Sequence, residues 1–137
     1  MESPEVRRRT MQAVKSKDTA IEMRVRRPLH AEGYRYRLHK RELPGCPDIV
    51  FSSRRKVVFI NSCFWHGHPC ARGQRVPKSN ADYWTSKISR NKARDATALK
   101  ELRELGWEAS VVWECELAKD TSAVMKKLFR FLGPTAM

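Results

Sequence analysis

The stretch PGCPDIVFSSRRKVVFINSCFWHGHPC, residues 44–70, decides how the chain is read. Pro44-Gly45-Cys46-Pro47 is turn chemistry, since proline presets φ and glycine tolerates conformations other residues avoid. The turn delivers the chain into Asp48-Ile49-Val50-Phe51, which starts a strand, and residues 56–60 give a further, more buried strand. From Asn61 to Asn80 the chain is dense in Cys, His, Gly and Pro. That segment is too irregular for a helix and too long for a hairpin loop, and long loops of this kind usually carry function.

On the N-terminal side, Thr19-Ala20-Ile21-Glu22 has the form of a capping box. It opens a helix whose apolar face carries Ile21, Val25 and Leu29 and which ends at Gly33. Pro28 predicts a kink or an early last turn, because a proline inside a helix costs about 3 kcal/mol. Residues 34–39 alternate and suggest a strand. On the C-terminal side, Asn80 is placed to cap a long helix running towards Leu105, with Trp84, Ile88, Asn91, Asp95, Leu99 and Leu102 near one face and Gly106 to stop it. Residues 107–113 form a last strand, and Asp120 or Thr121 caps a closing helix containing Val124, Leu128 and Phe131 or Leu132. The order is α-β-β-β-α-β-α without internal repeats, an α/β pattern.

The 137 residues fit one domain. Residues 1–18 carry Arg7, Arg8, Arg9, Lys15 and Lys17 with few large apolar residues, and read as a basic arm that clamps DNA, ahead of a domain over 19–137. Twenty-eight Lys and Arg against 15 acidic residues leave a formal charge of +13, which implies a polyanionic partner. No apolar run approaches the roughly 18 residues of a spanning helix and no signal-peptide core follows Met1, so nucleic acid in the cytoplasm is expected rather than a membrane.

Cys63, His68 and Cys70 lie in one short loop and Cys115 follows the last strand. They supply the thiolate and imidazole donors of a tetrahedral Zn²⁺ site, although the spacing is not that of a standard finger and buried free cysteines are common. With no export signal, metal is favoured over disulfides, and Cys46 reads as structural. Asp48, at a strand head, can project a carboxylate towards a hard cation such as Mg²⁺, although taken alone the turn-capping reading of this aspartate is favoured. Glu22 has the place a capping box requires, though its charge can also face a metal. His66 can accept the proton of an attacking water, or be a surface or zinc-binding histidine. Phe64 and Trp65 on a polar loop, with Trp84 at the start of the long helix, suit a wedge between stacked bases or core packing, and Trp107 and Trp113 suit the core. Lys78, Lys87, Arg90, Lys92 and Arg94 are phosphate contacts or a solvated face.

Taken together, Pro44-Gly-Cys-Pro-Asp48, Cys63-Phe-Trp-His66-Gly-His68, Tyr83-Trp84 and Trp113-Glu-Cys115 resemble the very short patch repair (Vsr) DNA mismatch endonuclease family, from about residue 6 to residue 117. The resemblance implies a restriction-endonuclease-like single domain, a central mixed sheet flanked by helices, and nicking of duplex DNA 5′ to the mismatched T of a T:G pair produced by 5-methylcytosine deamination. It implies that Asp48 is the central Mg²⁺ ligand with help from the main-chain carbonyl of Ile60. It makes His66 the general base, Glu22 an assisting carboxylate and Asp95 the residue that orients His66. Cys63, His68, Cys70 and Cys115 match zinc ligands; Phe64, Trp65 and Trp84 match intercalating aromatics, and Lys87 and Asn91 fall on the DNA-facing helix. Asn61 and Ser62 stand where the family usually has an acidic residue or His, then Gly, so activity with altered specificity is expected. The implied setting is a monomer acting on T:G-mismatched double-stranded DNA in the bacterial cytoplasm, associated with the nucleoid, with mismatch-repair proteins as further candidate partners. Three rivals are a zinc-stabilised DNA-binding module without catalysis, a nickase for another mismatch or for foreign DNA, and a basic structural or ribosome-associated protein.

Overall fold

The computed structural model describes residues 20–71 and 79–135. The basic arm, Thr19 of the capping box and Lys78 lie outside the described residues. Helix α1 (Ala20–Ala31) is followed by strands β1 (Arg37–Leu38) and β2 (Ile49–Phe51), a single 3₁₀ turn (Ser52–Arg54) and strand β3 (Lys56–Asn61). Helix α2 (Ala81–Glu104), strand β4 (Glu108–Trp113), helix α3 (Glu114–Lys119) and helix α4 (Thr121–Leu132) complete the fold.

The four strands form one sheet in the order β1-β2-β3-β4. The first two pairings are antiparallel and β3 pairs with β4 in parallel, so the sheet is mixed. A parallel pair needs a crossover, and α2 is that crossover. The register runs from Lys56↔Glu108 to Asn61↔Trp113. Both strands therefore end at the same sheet edge, one leading into the Cys/His loop and the other into Cys115.

Side chains alternate across the sheet. Ile49, Phe51, Val58 and Val112 join Val25 and Leu29 of α1, Leu117 of α3, and Val124 and Leu128 of α4 in one core cluster. Val50 and Val57 point the other way and pack with Leu102 of α2, with Phe59, Trp107 and Ala109 against them. Helices cover both faces, which is why β2 is buried at all three positions and reads as a continuous apolar run.

Several expectations are corrected. The strand expected over residues 34–39 contracts to Arg37–Leu38, because Tyr34 leaves the sheet plane for the core. Its ring lies parallel to Phe129 at 6.0 Å and its hydroxyl donates to the Gly133 carbonyl. The first helix spans Ala20–Ala31 with Pro28 inside it, flanked by the buried Val25 and Leu29. Asn80 does occupy the N-cap position of α2, yet in a left-handed conformation (φ 58°) and without a side-chain cap bond. Asp120 is a true cap, its carboxylate accepting the Ala123 N–H at 3.1 Å. The short α3 was not anticipated, since six residues are too few for a periodic pattern to declare itself.

Candidate functional site

Asp48 precedes β2, and Glu22 sits in the first turn of α1, where it is 3% exposed. Asp48 Oδ2 accepts the Ile60 N–H at 2.7 Å, which pins the carboxylate to the neighbouring strand. A third group stands between these carboxylates. His39 Nε2 lies 3.0 Å from Glu22 Oε1, and its Nδ1 lies 3.8 Å from Asp48 Oδ1. The chain places His39 there by leaving β1 in a left-handed conformation (φ 50°), its N–H donating to the Asp48 carbonyl at 3.1 Å. One ligand atom from each of Glu22, His39 and Asp48 falls within 4.8 Å of the others. Burial pushes the Asp48 carboxyl above its ordinary range, with the nearby Glu22 acting in the same direction; the Ile60 N–H, His39 and His66 oppose it. Two carboxylates gathered with an imidazole in a partly dry place form a site that a cation would suit.

His66 projects from the loop after β3 and its Nδ1 lies 2.6 Å from Asp95 Oδ2 on α2. That contact fixes the ring through Nδ1 and leaves Nε2 as its second nitrogen. Asn91, one turn earlier on α2, donates from Nδ2 to the Trp65 carbonyl at 2.9 Å. The loop approaches the helix closely because residue 67 is glycine. At its φ of 61°, a Cβ would stand 2.6 Å from Ile88 Cγ2 and 2.7 Å from Lys92 Cδ. His66 borders a cavity of about 250 Å³ shared with Gly45, Phe59, Asn61, Asp95 and Trp113.

Cys63, His68, Cys70 and Cys115 each offer a ligand atom within 4.8 Å of the others. Cys63 is fully buried, and Cys115 makes two of the contacts: its N–H donates to Cys63 Sγ at 3.4 Å, and its Sγ lies 3.5 Å from His68 Nδ1. Burial, reinforced by the neighbouring thiols and opposed by the Cys115 N–H, pushes the Cys63 thiol up to about 12. Thiols so crowded are poorly served as free side chains, and the donor set fits a tetrahedral ion such as zinc. The His68 ring stacks on Trp113 at 4.2 Å, which orients it.

Phe64, Trp65 and Trp84 form a half-buried trio with ring centroids 5.2–5.7 Å apart. Lys87 Nζ lies over Trp65 at 5.1 Å, and the exposed Tyr83 packs edge-on against Trp84.

The residues expected at the site thus fall into four groups: Glu22 with Asp48 and the Ile60 main chain; His66 with Asp95, and Asn91 beside them; the four Cys/His donors; and the aromatics with Lys87. Cys46 is exposed and stands outside all four. Trp113, expected in the core, is half-buried and serves His68. Sequence reasoning missed His39 and Tyr83 as site residues. Tyr83 was visible in the Tyr-Trp pair, whereas His39 looked like a strand end and only the pairing of β1 with β2 brings it to Asp48.

Residues 1–72 match the sequence profile of a family described as DNA mismatch endonuclease Vsr. Over 133 residues the chain is 53% identical to the type II nicking enzyme V.XorIIP of Xanthomonas oryzae pv. oryzae, covering 97% of this chain and 96% of that one. It is 43% identical to the type II nicking enzyme V.NmeAIP of Neisseria meningitidis over 89% of this chain and 86% of the relative. It is 40% identical to the DNA mismatch endonuclease Vsr of Escherichia coli, over 81% of this chain and 70% of the relative.

Proposed function

Because the chain belongs to the Vsr family of DNA endonucleases, we propose that it is a Mg²⁺-dependent nickase that cuts duplex DNA 5′ to the mismatched T of a T:G pair. The observation that carries this reading is the pairing of His66 with Asp95 at 2.6 Å, in a chain that also gathers Glu22, His39 and Asp48 within 4.8 Å. A positioned proton acceptor and a cation-binding carboxylate are what phosphodiester hydrolysis requires.

In this reading Asp48 and Glu22 hold the Mg²⁺, with the Ile60 carbonyl as a further oxygen donor. A bound Mg²⁺ would neutralise charge on the scissile phosphate. His66 accepts the proton of the attacking water at Nε2, and Asp95 holds the tautomer in which that nitrogen carries a lone pair. Asn91 fixes the Trp65 carbonyl and with it the loop that presents His66. Phe64, Trp65 and Trp84 wedge beside the mismatched pair, and Lys87 meets backbone phosphate. Cys63, His68, Cys70 and Cys115 would hold a Zn²⁺ that ties the loop carrying His66 to the end of β4. Among the described residues no helix is long and apolar enough to cross a membrane. A monomer working at the bacterial nucleoid, alongside mismatch-repair proteins, is consistent with the +13 charge.

The test is to incubate the protein with Mg²⁺ and duplexes that differ only in one T:G versus T:A pair, and to resolve nicks on each strand. Cutting confined to the T:G duplex, 5′ to the T and lost in His66→Ala, is expected. Binding without cutting would leave only a DNA-binding module. Equal cutting of both duplexes would favour the second reading, a nickase for a different DNA target. That reading is supported by the buried Asn61 beside His66 in the cavity and by relatives named as type II nicking enzymes.

A further inference from the structure

His39 belongs to the cation site by position, yet nothing in the mechanism above uses it. Its side chain is 12% exposed, and Nε2 is shielded from solvent with no well-directed hydrogen bond among the described residues. The Glu22 carboxylate oxygen stands 3.0 Å away, but not along the direction in which the nitrogen would donate. A buried polar atom without a well-directed hydrogen bond is costly, so its persistence calls for a reason. Two donors about 2.1 Å from a shared ion and at right angles to each other stand about 3 Å apart, which is the observed spacing of His39 Nε2 and Glu22 Oε1. The left-handed backbone of His39 is a conformation that few non-glycine residues adopt, and it is tied to the Asp48 main chain, so ring and carboxylate move together.

We propose that His39 is a third side-chain ligand of the catalytic cation, beside Asp48 and Glu22, and that the Glu22–His39–Asp48 site binds a first-row transition ion such as Mn²⁺ more tightly than Mg²⁺. The proposal rests on the assignment of Asp48 and Glu22 as cation ligands. Mg²⁺ takes oxygen donors and holds its waters, whereas imidazole gives a softer nitrogen donor that first-row transition ions accept readily. A site of carboxylates alone would show little of that preference. Adding one imidazole shifts selectivity without closing the coordination sphere, since only three protein side chains contribute and positions remain for water and phosphate.

The experiment uses the full-length, zinc-loaded protein. Mn²⁺ binding is titrated by electron paramagnetic resonance of the free ion, Mg²⁺ binding is measured by competition, and pulsed spin-echo spectra are searched for imidazole ¹⁴N coupling to the bound Mn²⁺. Wild-type protein is expected to show that coupling. His39→Ala should lose it, with Mn²⁺ affinity falling on the order of tenfold and Mg²⁺ affinity changing far less. His39→Gln, which keeps a polar side chain but no imidazole, should behave in the same way, and thermal melts establish that the variants are folded. His66→Ala should retain the coupling. Absence of ¹⁴N coupling in the wild type, or its persistence in His39→Ala, would overturn the proposal while leaving the carboxylate site intact. Asp48→Asn separates the two failures. Loss of both Mn²⁺ and Mg²⁺ binding in that variant supports the carboxylate site on which the proposal stands, and unchanged binding overturns both.

Discussion

The Cys63–His68–Cys70–Cys115 cluster and the Glu22–His39–Asp48 cluster differ in what they are made of and in how the chain assembles them. The first has four donors, three of them thiols, which can close a tetrahedron; three of its members lie within eight residues and the fourth beside the parallel strand end. The second has three donors from a helix, a strand end and a turn, two of them hard oxygen ligands, and it leaves coordination positions open. A closed soft set suits structure and an open hard set suits chemistry. The difference teaches that donor count and hardness separate the two tasks better than proximity to the sheet end does.

The sharpest way to break the comparison is to attack the closed cluster. Cys115→Ser, or a strong chelator, is expected to unfold the loop and lower the melting temperature more than any other single change here, because structural zinc contributes on the order of 10 kcal/mol of apparent binding energy to folding. Metal content and circular-dichroism melts check this; an unchanged melt after chelation would make the cluster merely packed thiols. The open cluster and its base should behave in the opposite way. His66→Ala is expected to lower single-turnover nicking by about 10²- to 10⁴-fold with zinc content and melt retained. If the melt collapses as well, the distinction between a structural and a chemical cluster is lost.

A smaller effect is expected from the aromatic trio. Trp65→Ala should weaken binding to mismatched duplex by about 1–3 kcal/mol, the scale of one lost base stack, and fully matched duplex by less. Lys87→Ala should weaken both duplexes alike and reduce the salt dependence by about one counterion, as measured by fluorescence anisotropy across a salt series.

The smallest and most diagnostic change concerns Asp48. Its folded-state proton affinity is raised by burial, so the ionised carboxylate costs stability that sets in as pH rises through the ordinary carboxylate range and persists above it. Asp48→Asn keeps an oxygen to accept the Ile60 N–H and removes the charge. In cation-free protein at neutral pH its melting temperature is therefore expected to rise by a few degrees although nicking is abolished. A fall would mean that the carboxylate is held by favourable contacts, as a structural aspartate would be.

Much of this was legible in the chain itself. Strands β2 and β3, the long α2 with its stop at Gly106, and the cap at Asp120 follow from local apolar runs, periodicity and turn residues. At residues 34–39 a local pattern is overruled by a distant contact, since Tyr34 has strand-like neighbours but packs on Phe129 of α4. Asn80 has the chemistry of a cap but takes a left-handed conformation instead.

The sequence by itself determined the α/β class, the basic surface, the kinship with the Vsr family and the four soft donors, because those signals are carried by residue types at short spacing. Only the tertiary structure decided that Gly67 lets the loop rest on α2 and that His39 completes the group around Asp48. The reason is geometric. Residues 22, 39 and 48 belong to three elements, and what brings them within 4.8 Å is the antiparallel pairing of β1 with β2 and the seating of α1 on the sheet, neither of which any short stretch of chain encodes.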